Sequence, residues 1–344
     1  MSDAPAPTGD PILQVQSLTT SFRTDRGLVT AVDDVSFDVS PGETLGIVGE
    51  SGCGKTVTSK SIMRLLPDHV TRYADHSRIL YRGTDLLAAS EGTMREVRGN
   101  GIAMIFQEPM TSLNPVFTVG WQLEEALKYH TKLSKKERRE RAIEMLRLVE
   151  MPNAEKRIDE YPHQLSGGMR QRVMIAIALC CEPDVLIADE PTTALDVTIQ
   201  AQILALMNDL KERLKTAIIL ITHDLGVVAQ VCDRVQVMYA GRVIERGDVM
   251  DIFHRPQHPY TQALLNSIPK HGSIERGSRL PSIEGIVPSL WDLPDGCRFN
   301  ERCDHRQDRC VAEEPALVED ASGHARRCHF PLNTDAELTV GATS

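Results

Sequence analysis

Short apolar runs recur along this chain, most of them closed by a polar or glycine-bearing turn, with helix-period stretches between them. Thr44-Leu45-Gly46-Ile47-Val48 reads as a buried strand of a parallel sheet, and Val185-Leu186-Ile187-Ala188 as a central one. Ile102 to Phe106 and Ile218 to Thr222 are strand-like in the same way. Residues from about 11 to 48 are expected to form strands, with turns at Arg26-Gly27 and Ser40-Pro41-Gly42. Val235 to Tyr239 and Arg242 to Glu245 predict a closing hairpin about Ala240-Gly241. Helices are predicted over Lys55 to Leu66, stopped before Pro67, and over Val119 to His130, Ser134 to Glu150 and Val197 to Leu214. This alternation is that of an α/β fold. Beyond roughly Pro256 the composition shifts to Pro, Gly, Arg and Cys, which marks a separate C-terminal region.

The first apolar run leads into Gly49-Glu50-Ser51-Gly52-Cys53-Gly54-Lys55-Thr56, a fit to G-x-x-x-x-G-K-[ST] between a strand and a helix. Glycines let successive backbone N–H groups curl toward phosphate oxygens, and the positive end of the following helix favours the anion. Lys55 is expected to reach the β/γ-phosphates and Thr56 to offer its hydroxyl to Mg2+. The Val185 run ends in Asp189-Glu190, at the strand edge where ligands of open α/β sheets sit. Asp189 would hold Mg2+ through its water shell, and Glu190 would orient and polarise the water that attacks the γ-phosphorus. Cys53, at a helix N-terminus beside Lys55, is expected to carry a lowered thiol pKa, so that alkylation inhibits and bound ATP protects.

Leu165-Ser166-Gly167-Gly168-Met169, followed by a helix start at Arg170 to Arg172, supplies a second Gly-rich anion turn. With it, the chain resembles the ATP-binding subunits of ABC transporters, and the motifs of that family occur in order. The resemblance implies a P-loop ATPase core with an antiparallel β subdomain and a helical subdomain (about 108–178), plus a small Cys-rich C-terminal region. It implies that the Ser166, Gly167 and Gly168 signature serves the ATP of a second ATPase subunit, each nucleotide being sandwiched between two chains. Gln107 resembles the Q-loop glutamine that senses Mg2+ and attacking water. Ala194-Leu195-Asp196 resembles the D-loop, His223 the switch histidine at the γ-phosphate, and Phe22 the adenine-stacking aromatic. Glu108 to Thr118, rich in Pro, Asn, Ser and Thr, is then a mobile connector to the membrane subunit.

A closer resemblance, to dipeptide and oligopeptide importer ATPases, rests on Phe106 to Pro115, Tyr161-Pro162-His163-Gln164, Thr193 to Gln202 and His258 to Leu265. Together with the cysteine-bearing end it covers about residues 11–332. It implies an ATP-hydrolysing motor for peptide uptake at the cytoplasmic face of the membrane. Its partners would be a paralogous ATPase, two transmembrane permeases and, indirectly, an extracytoplasmic substrate-binding protein. Relatives of this subfamily also serve glutathione, nickel, sugars and opines, so the cargo stays open. The implied division is a tail over 1–10, an ATPase domain over 11–260, a C-terminal region over 261–332 and a second tail over 333–344.

Length and charge narrow the alternatives. The longest apolar run, Val173 to Cys181, has nine residues, against the roughly 18 needed to span a bilayer. Met1 to Asp10 is Pro/Ala-rich and acidic, like a disordered tail rather than a signal peptide. A net charge of -10 argues against a nucleic-acid-binding surface. A soluble ABC ATPase of DNA repair or translation would bring a long insertion, a fused second cassette or basic surfaces, and a pseudo-ATPase would lack Glu190, His223 or the signature. The alternating charges of Lys135 to Arg141 read as a solvated helix face.

Of the eight cysteines, Cys180, Cys181 and Cys232 read as small core residues. Cys297, Cys303, Cys310 and Cys328 cluster within 32 residues, with five, six and seventeen residues between successive members. Such a cluster in a cytosolic chain points to metal rather than disulfides. The spacing matches neither ordinary zinc ribbons nor common ferredoxin runs. Zn2+, an iron-sulfur cluster and unmetallated thiols therefore stay open on the residues. The peptide-importer resemblance implies a 4Fe-4S cluster on these four cysteines, and nearby arginines such as Arg298 and Arg302 would offset its charge.

Overall fold

The computed structural model describes residues 10–106, 113–192, 196–268 and 283–333. Strand β1 (Leu13–Thr24) lies between β2 (Gly27–Val39) on one side and β4 (Thr71–Tyr73) and β5 (Arg78–Tyr81) on the other, with β6 (Thr84–Asp85) beyond β5. Every pairing in this sheet is antiparallel.

A second sheet is built from β3 (Thr44–Val48), β7 (Ile102–Ile105), β8 (Val185–Asp189), β9 (Ala217–Ile221), β10 (Arg234–Tyr239), β11 (Arg242–Asp248), β12 (Val318–Glu319) and β13 (Ala325–Arg326). Their order is β12-β13-β11-β10-β3-β9-β8-β7. The run from β10 to β7 is parallel, and β11, β13 and β12 add antiparallel strands at one edge.

The continuous apolar character of the parallel strands follows from burial on both faces. Side chains of successive residues point to opposite faces, and the core divides accordingly. Val185 and Ile187, with Ala217, Ile219 and Ile221, pack against Leu13, Val32 and Phe37 of the antiparallel sheet. Leu186, Ala188, Ile218 and Leu220 pack on the other side against Leu204, Met207 and Leu210 of the helix Val197–Leu214. The register aligns Val48 with Val237, Ile47 with Ile221, and Asp189 with Ile221. Three strand-to-loop exits therefore leave the sheet at one edge.

Pattern and structure agree closely for the helices Val119–His130 and Val197–Leu214. The helix after the glycine-rich loop stops at Ile62 rather than Leu66 because Arg64 turns to φ 47°, a left-handed conformation that breaks the helix ahead of Pro67. Ser134 is not helical but caps Lys135–Leu148, in a reciprocal capping box with Glu137. On that helix the charge run is not simply a solvated face. Arg141 reaches Glu182 at 2.5 Å and Arg139 reaches Asp159 at 2.6 Å, so the run also ties the helix to neighbouring segments.

The C-terminal segment is joined to the sheet rather than standing apart from it. Glu245 on β11 is fully buried, and its carboxylate accepts from the N–H of Gln257 at 2.5 Å and of His258 at 3.0 Å, with His324 Nε2 at 2.7 Å. Three partners of this kind satisfy a carboxylate that burial alone would penalise. On the other side, Asp33 of β2 pairs with Arg242 of β11 at 2.9 Å and with Arg298 of the C-terminal segment.

Burial raises the Asp33 pKa, but the hydrogen bond and charge of Arg242, with those of Arg298, outweigh it and hold the carboxyl below its usual range. A carboxyl with a lowered folded pKa stabilises above its ordinary value, and the contribution is lost as pH falls through the folded value. Asp33→Asn is therefore expected to lower the denaturation midpoint at neutral pH. The deficit should shrink as pH falls below about 4, which denaturant titrations at several pH values would read directly.

Candidate functional site

The loop after β3 curls because two glycines hold conformations closed to other residues. Gly49 has φ 149° and a Cβ there would meet the Met238 carbonyl at 2.2 Å; Gly54 has φ 103° and its Cβ would meet the Ala31 carbonyl at 2.7 Å. Lys55 opens the helix Lys55–Ile62 and folds back over the loop, its Nζ donating to the carbonyls of Gly49 at 2.7 Å and Glu50 at 3.0 Å. Ser51 and Gly52 form the exposed crown of the loop.

Thr56 Oγ1 donates to Asp189 Oδ1 at 3.3 Å, so the residues expected at Mg2+ are neighbours although 133 positions apart. Burial, reinforced by the charge of Glu190, outweighs Thr56 and the nearby lysines and raises the Asp189 pKa. Glu190 takes φ 50°, and its N–H bonds to the Ile221 carbonyl at 2.8 Å. This left-handed turn, uncommon for a residue with a side chain, brings its carboxylate 3.4 Å from His223 Nδ1. Glycine loop, acidic pair and histidine thus share one edge of the sheet. A divalent cation there would find a hydroxyl and a carboxylate, the oxygen donors that suit Mg2+.

The Ser166-Gly167-Gly168 turn begins the helix Gly167–Leu179, with Ser166 Oγ accepting from the Met169 N–H at 3.4 Å. Ser166 and Gly167 are exposed, and no hydrogen bond joins this turn to residues 49–56 among the described residues. Asp196 caps the helix Val197–Leu214 through the Ile199 N–H at 2.9 Å. Phe22 is half-buried on β1 opposite Val29 and Thr71, inside the antiparallel sheet rather than at its edge. Gln107, Ala194, Leu195 and the connector over 108–112 lie outside the described residues. A residue the pattern did not single out is Gln171, fully buried one turn into the signature helix, whose side-chain amide donates to the Pro191 carbonyl just after Glu190.

Cys53 corrects an expectation. The thiol is fully buried, and burial pushes its pKa up; the charge and hydrogen bonds of Lys55 act in the other direction without prevailing. Helix position is overridden by desolvation.

Cys297, Cys303, Cys310 and Cys328 converge on one pocket, which His258, His305 and His329 also line. All four are free thiols. Burial first, and then neighbouring charges among them, pushes Cys297 up to about 11 and Cys328 up to about 12. Among the described residues no group of three or more His, Cys, Asp or Glu side chains is arranged to hold a metal ion. Among them, too, no helix is long and apolar enough to cross a membrane.

The fold and this edge belong to a known class. A family model described as ABC transporter matches residues 32–193, and one described as oligopeptide/dipeptide transporter, C-terminal region, matches residues 244–310. The chain belongs to the ABC transporter ATP-binding protein family and is an ATPase of that type. It is 53% identical to the dipeptide transport ATP-binding protein DppD of Bacillus subtilis, over 95% of this chain and 99% of that protein. It is 55% identical to a probable peptide ABC transporter ATP-binding protein of Sinorhizobium fredii, over 94% of this chain and 96% of the relative. Among solved structures it resembles the dimeric, post-hydrolysis state of the ATP-binding cassette MJ0796 bound to ADP and Pi. The TM-score is 0.62 at 26% identity, covering 69% of this chain and 98% of that one.

A thiol with a raised pKa yields thiolate only above the ordinary range, about 8.5. A thiol reagent at pH 8 should therefore leave Cys53 unmodified in the folded protein and label it after unfolding, as peptide mapping would report.

Proposed function

We propose that this chain is the ATP-hydrolysing motor of an importer for dipeptides or oligopeptides, working at the cytoplasmic face of the membrane. The observation that carries the catalytic half is the single edge shared by the glycine loop, Thr56–Asp189 and Glu190–His223. The peptide half is supported by the near full-length similarity to dipeptide and oligopeptide transport ATP-binding proteins.

In this reading the amides of residues 51–56 and the Lys55 ammonium cradle the phosphates, and Phe22 stacks on adenine. Thr56, Asp189 and Gln107 hold Mg2+, whose chemistry is to neutralise charge on the transferred phosphoryl group. Glu190 orients and polarises the attacking water while His223 holds the γ-phosphate side. Glu190 is only 15% exposed and its backbone is locked to β9, which suits a group that must hold one proton path without rearranging.

The exposed signature turn suits a site completed across a dimer, with Ser166, Gly167 and Gly168 capping the ATP of a second ATPase subunit and Asp196 lying at the junction. The partner is a paralogue, with two permeases and a substrate-binding protein completing the importer. A permease would dock on the helical subdomain (about 108–178), where Phe117 and Trp121 stack at 3.7 Å between centroids beside Val116, itself 69% exposed. The ATPase domain spans 11–260 and the peptide-importer region 261–332, between tails over 1–10 and 333–344.

Four cysteines converging on one pocket suit a thiolate-held metal group, and the resemblance to peptide-importer ATPases favours a 4Fe-4S cluster over Zn2+. Cys297, Cys303, Cys310 and Cys328 would hold it. Its contribution is structural: metal-bound thiolates replace thiols that burial keeps protonated and staple a loop-rich segment.

Two measurements test these assignments. Glu190→Gln should keep ATP bound and favour a closed dimer while lowering turnover about a hundredfold or more; undiminished turnover would remove Glu190 from its role. Chain purified without oxygen should contain about four irons with inorganic sulfide, lost in Cys297→Ser. Zinc, or no metal, would refute the cluster and leave the ATPase assignment standing.

A further inference from the structure

Glu50, the second residue of the glycine loop, is held at every polar group it has. Its carbonyl accepts from Lys55 Nζ at 3.0 Å, and its N–H donates to Tyr260 Oη at 3.0 Å. Its carboxylate is gripped by both ends of one guanidinium, Arg302 Nη1 to Oε2 at 2.7 Å and Nη2 to Oε1 at 3.0 Å. Glu50 and Arg302 are 252 positions apart. A two-bond fork of this kind fixes direction as well as distance.

Neither partner is a casual surface contact. The Arg302 side chain is 5% exposed, and its Nε donates to the Glu284 carbonyl at 2.9 Å. Its guanidinium stands over the rings of Tyr239 at 5.7 Å and Phe299 at 6.0 Å. Tyr260 is fully buried and packs on the same two rings, at 4.7 Å and 5.3 Å between centroids. Arg302 ends a single 3-10 turn, Asn300–Arg302, bracketed by Cys297 and Cys303. The fold of the thiol-lined pocket and the grip on Glu50 are thus set by the same few residues.

We propose that Arg302 and Tyr260 are positioning residues of the phosphate-binding loop, through which the C-terminal segment sets nucleotide affinity from outside the nucleotide site. The inference rests on reading residues 49–56 as that loop. Arg302 touches no reacting atom. By pinning Glu50 it fixes the start of the turn whose later amides face the phosphates, so that binding does not have to order the loop. Loss of the pin weakens ground state and transition state alike, which raises KM and spares turnover at saturation.

The test is binding of a fluorescent ATP analogue with Mg2+ to the full chain, with ATPase kinetics, for wild type, Glu50→Ala, Arg302→Ala, the double variant and Tyr260→Phe. Glu50→Ala and Arg302→Ala should each weaken binding about tenfold, and Arg302→Ala should leave turnover at saturation unchanged within about twofold. The double variant should be no weaker than either single, because both cut the same bond. Tyr260→Phe, which keeps the ring packing and removes only the acceptor of the Glu50 N–H, should weaken binding by less. Unchanged affinity in the single variants, or multiplying losses in the double, overturns the proposal. Should Arg302→Ala fail to fold, Glu50→Ala and Tyr260→Phe, which alter the pin at the loop or by one hydroxyl, still decide it. A wild type that binds no nucleotide overturns the nucleotide reading itself; a wild type that binds as well as Glu50→Ala overturns only the pin.

Discussion

The parallel register of β10, β3, β9 and β8 is the constraint from which the site follows. The strands β3, β8 and β9 are largely apolar on both faces because they are covered on both, so none can slip by one residue without exchanging the set buried against the antiparallel sheet for the set buried against helices. That rigidity places the ends of β3, β8 and β9 side by side. Loops leaving those ends carry the Gly49–Thr56 turn, the acidic pair and His223, and they meet because the strands leave them no alternative. The strain at Glu190 is tolerated for the same reason: its N–H is tied to β9, and its φ of 50° directs the carboxylate to His223 rather than along the strand axis.

A second principle governs the C-terminal segment. It is poor in long apolar runs, and the ties described here are polar and largely buried: Glu245 with His324 and two backbone amides, Asp33 with Arg242 and Arg298, and Glu50 with Arg302. Buried ion pairs contribute less net stability than apolar packing of equal volume, but losing one partner is costly because the other is stranded. The segment is therefore held by contacts that tolerate little substitution and specify one arrangement closely. Arginine serves here because its fork can satisfy a carboxylate while its face lies on Tyr239 and Phe299.

Much of this was legible in the chain itself. Apolar runs located every parallel strand, and Ala240-Gly241 marked the β10–β11 turn, where both residues adopt positive φ. The glycine loop, Asp189-Glu190 and the four late cysteines are visible as spacings, and His223 through the family resemblance. Local pattern failed where the deciding partner is distant in sequence. Cys53 looks activated when only the helix and Lys55 are considered, yet it is buried against the body of the protein. Glu50 fills an unspecified position of the loop motif, and no periodicity links it to Arg302, 252 positions away. Gln171 is one polar residue early in an apolar helix, and nothing local shows that its amide reaches the turn beside the acidic pair.

The pairing of β13 with β11 also protects the fold from its own kind. Glu245 and Arg246 pair with Arg326 and Ala325, and β13 is followed outward only by the two-residue β12. A long strand with one unpaired side is a template on which another chain can add. Here the growing edge of the main sheet ends in two minimal strands bearing Glu319 and Arg326, too short and too charged to recruit a neighbour. A chain shortened ahead of these strands would expose the flank of β11 as a template for another chain and would at the same time strand the Glu245 carboxylate without His324.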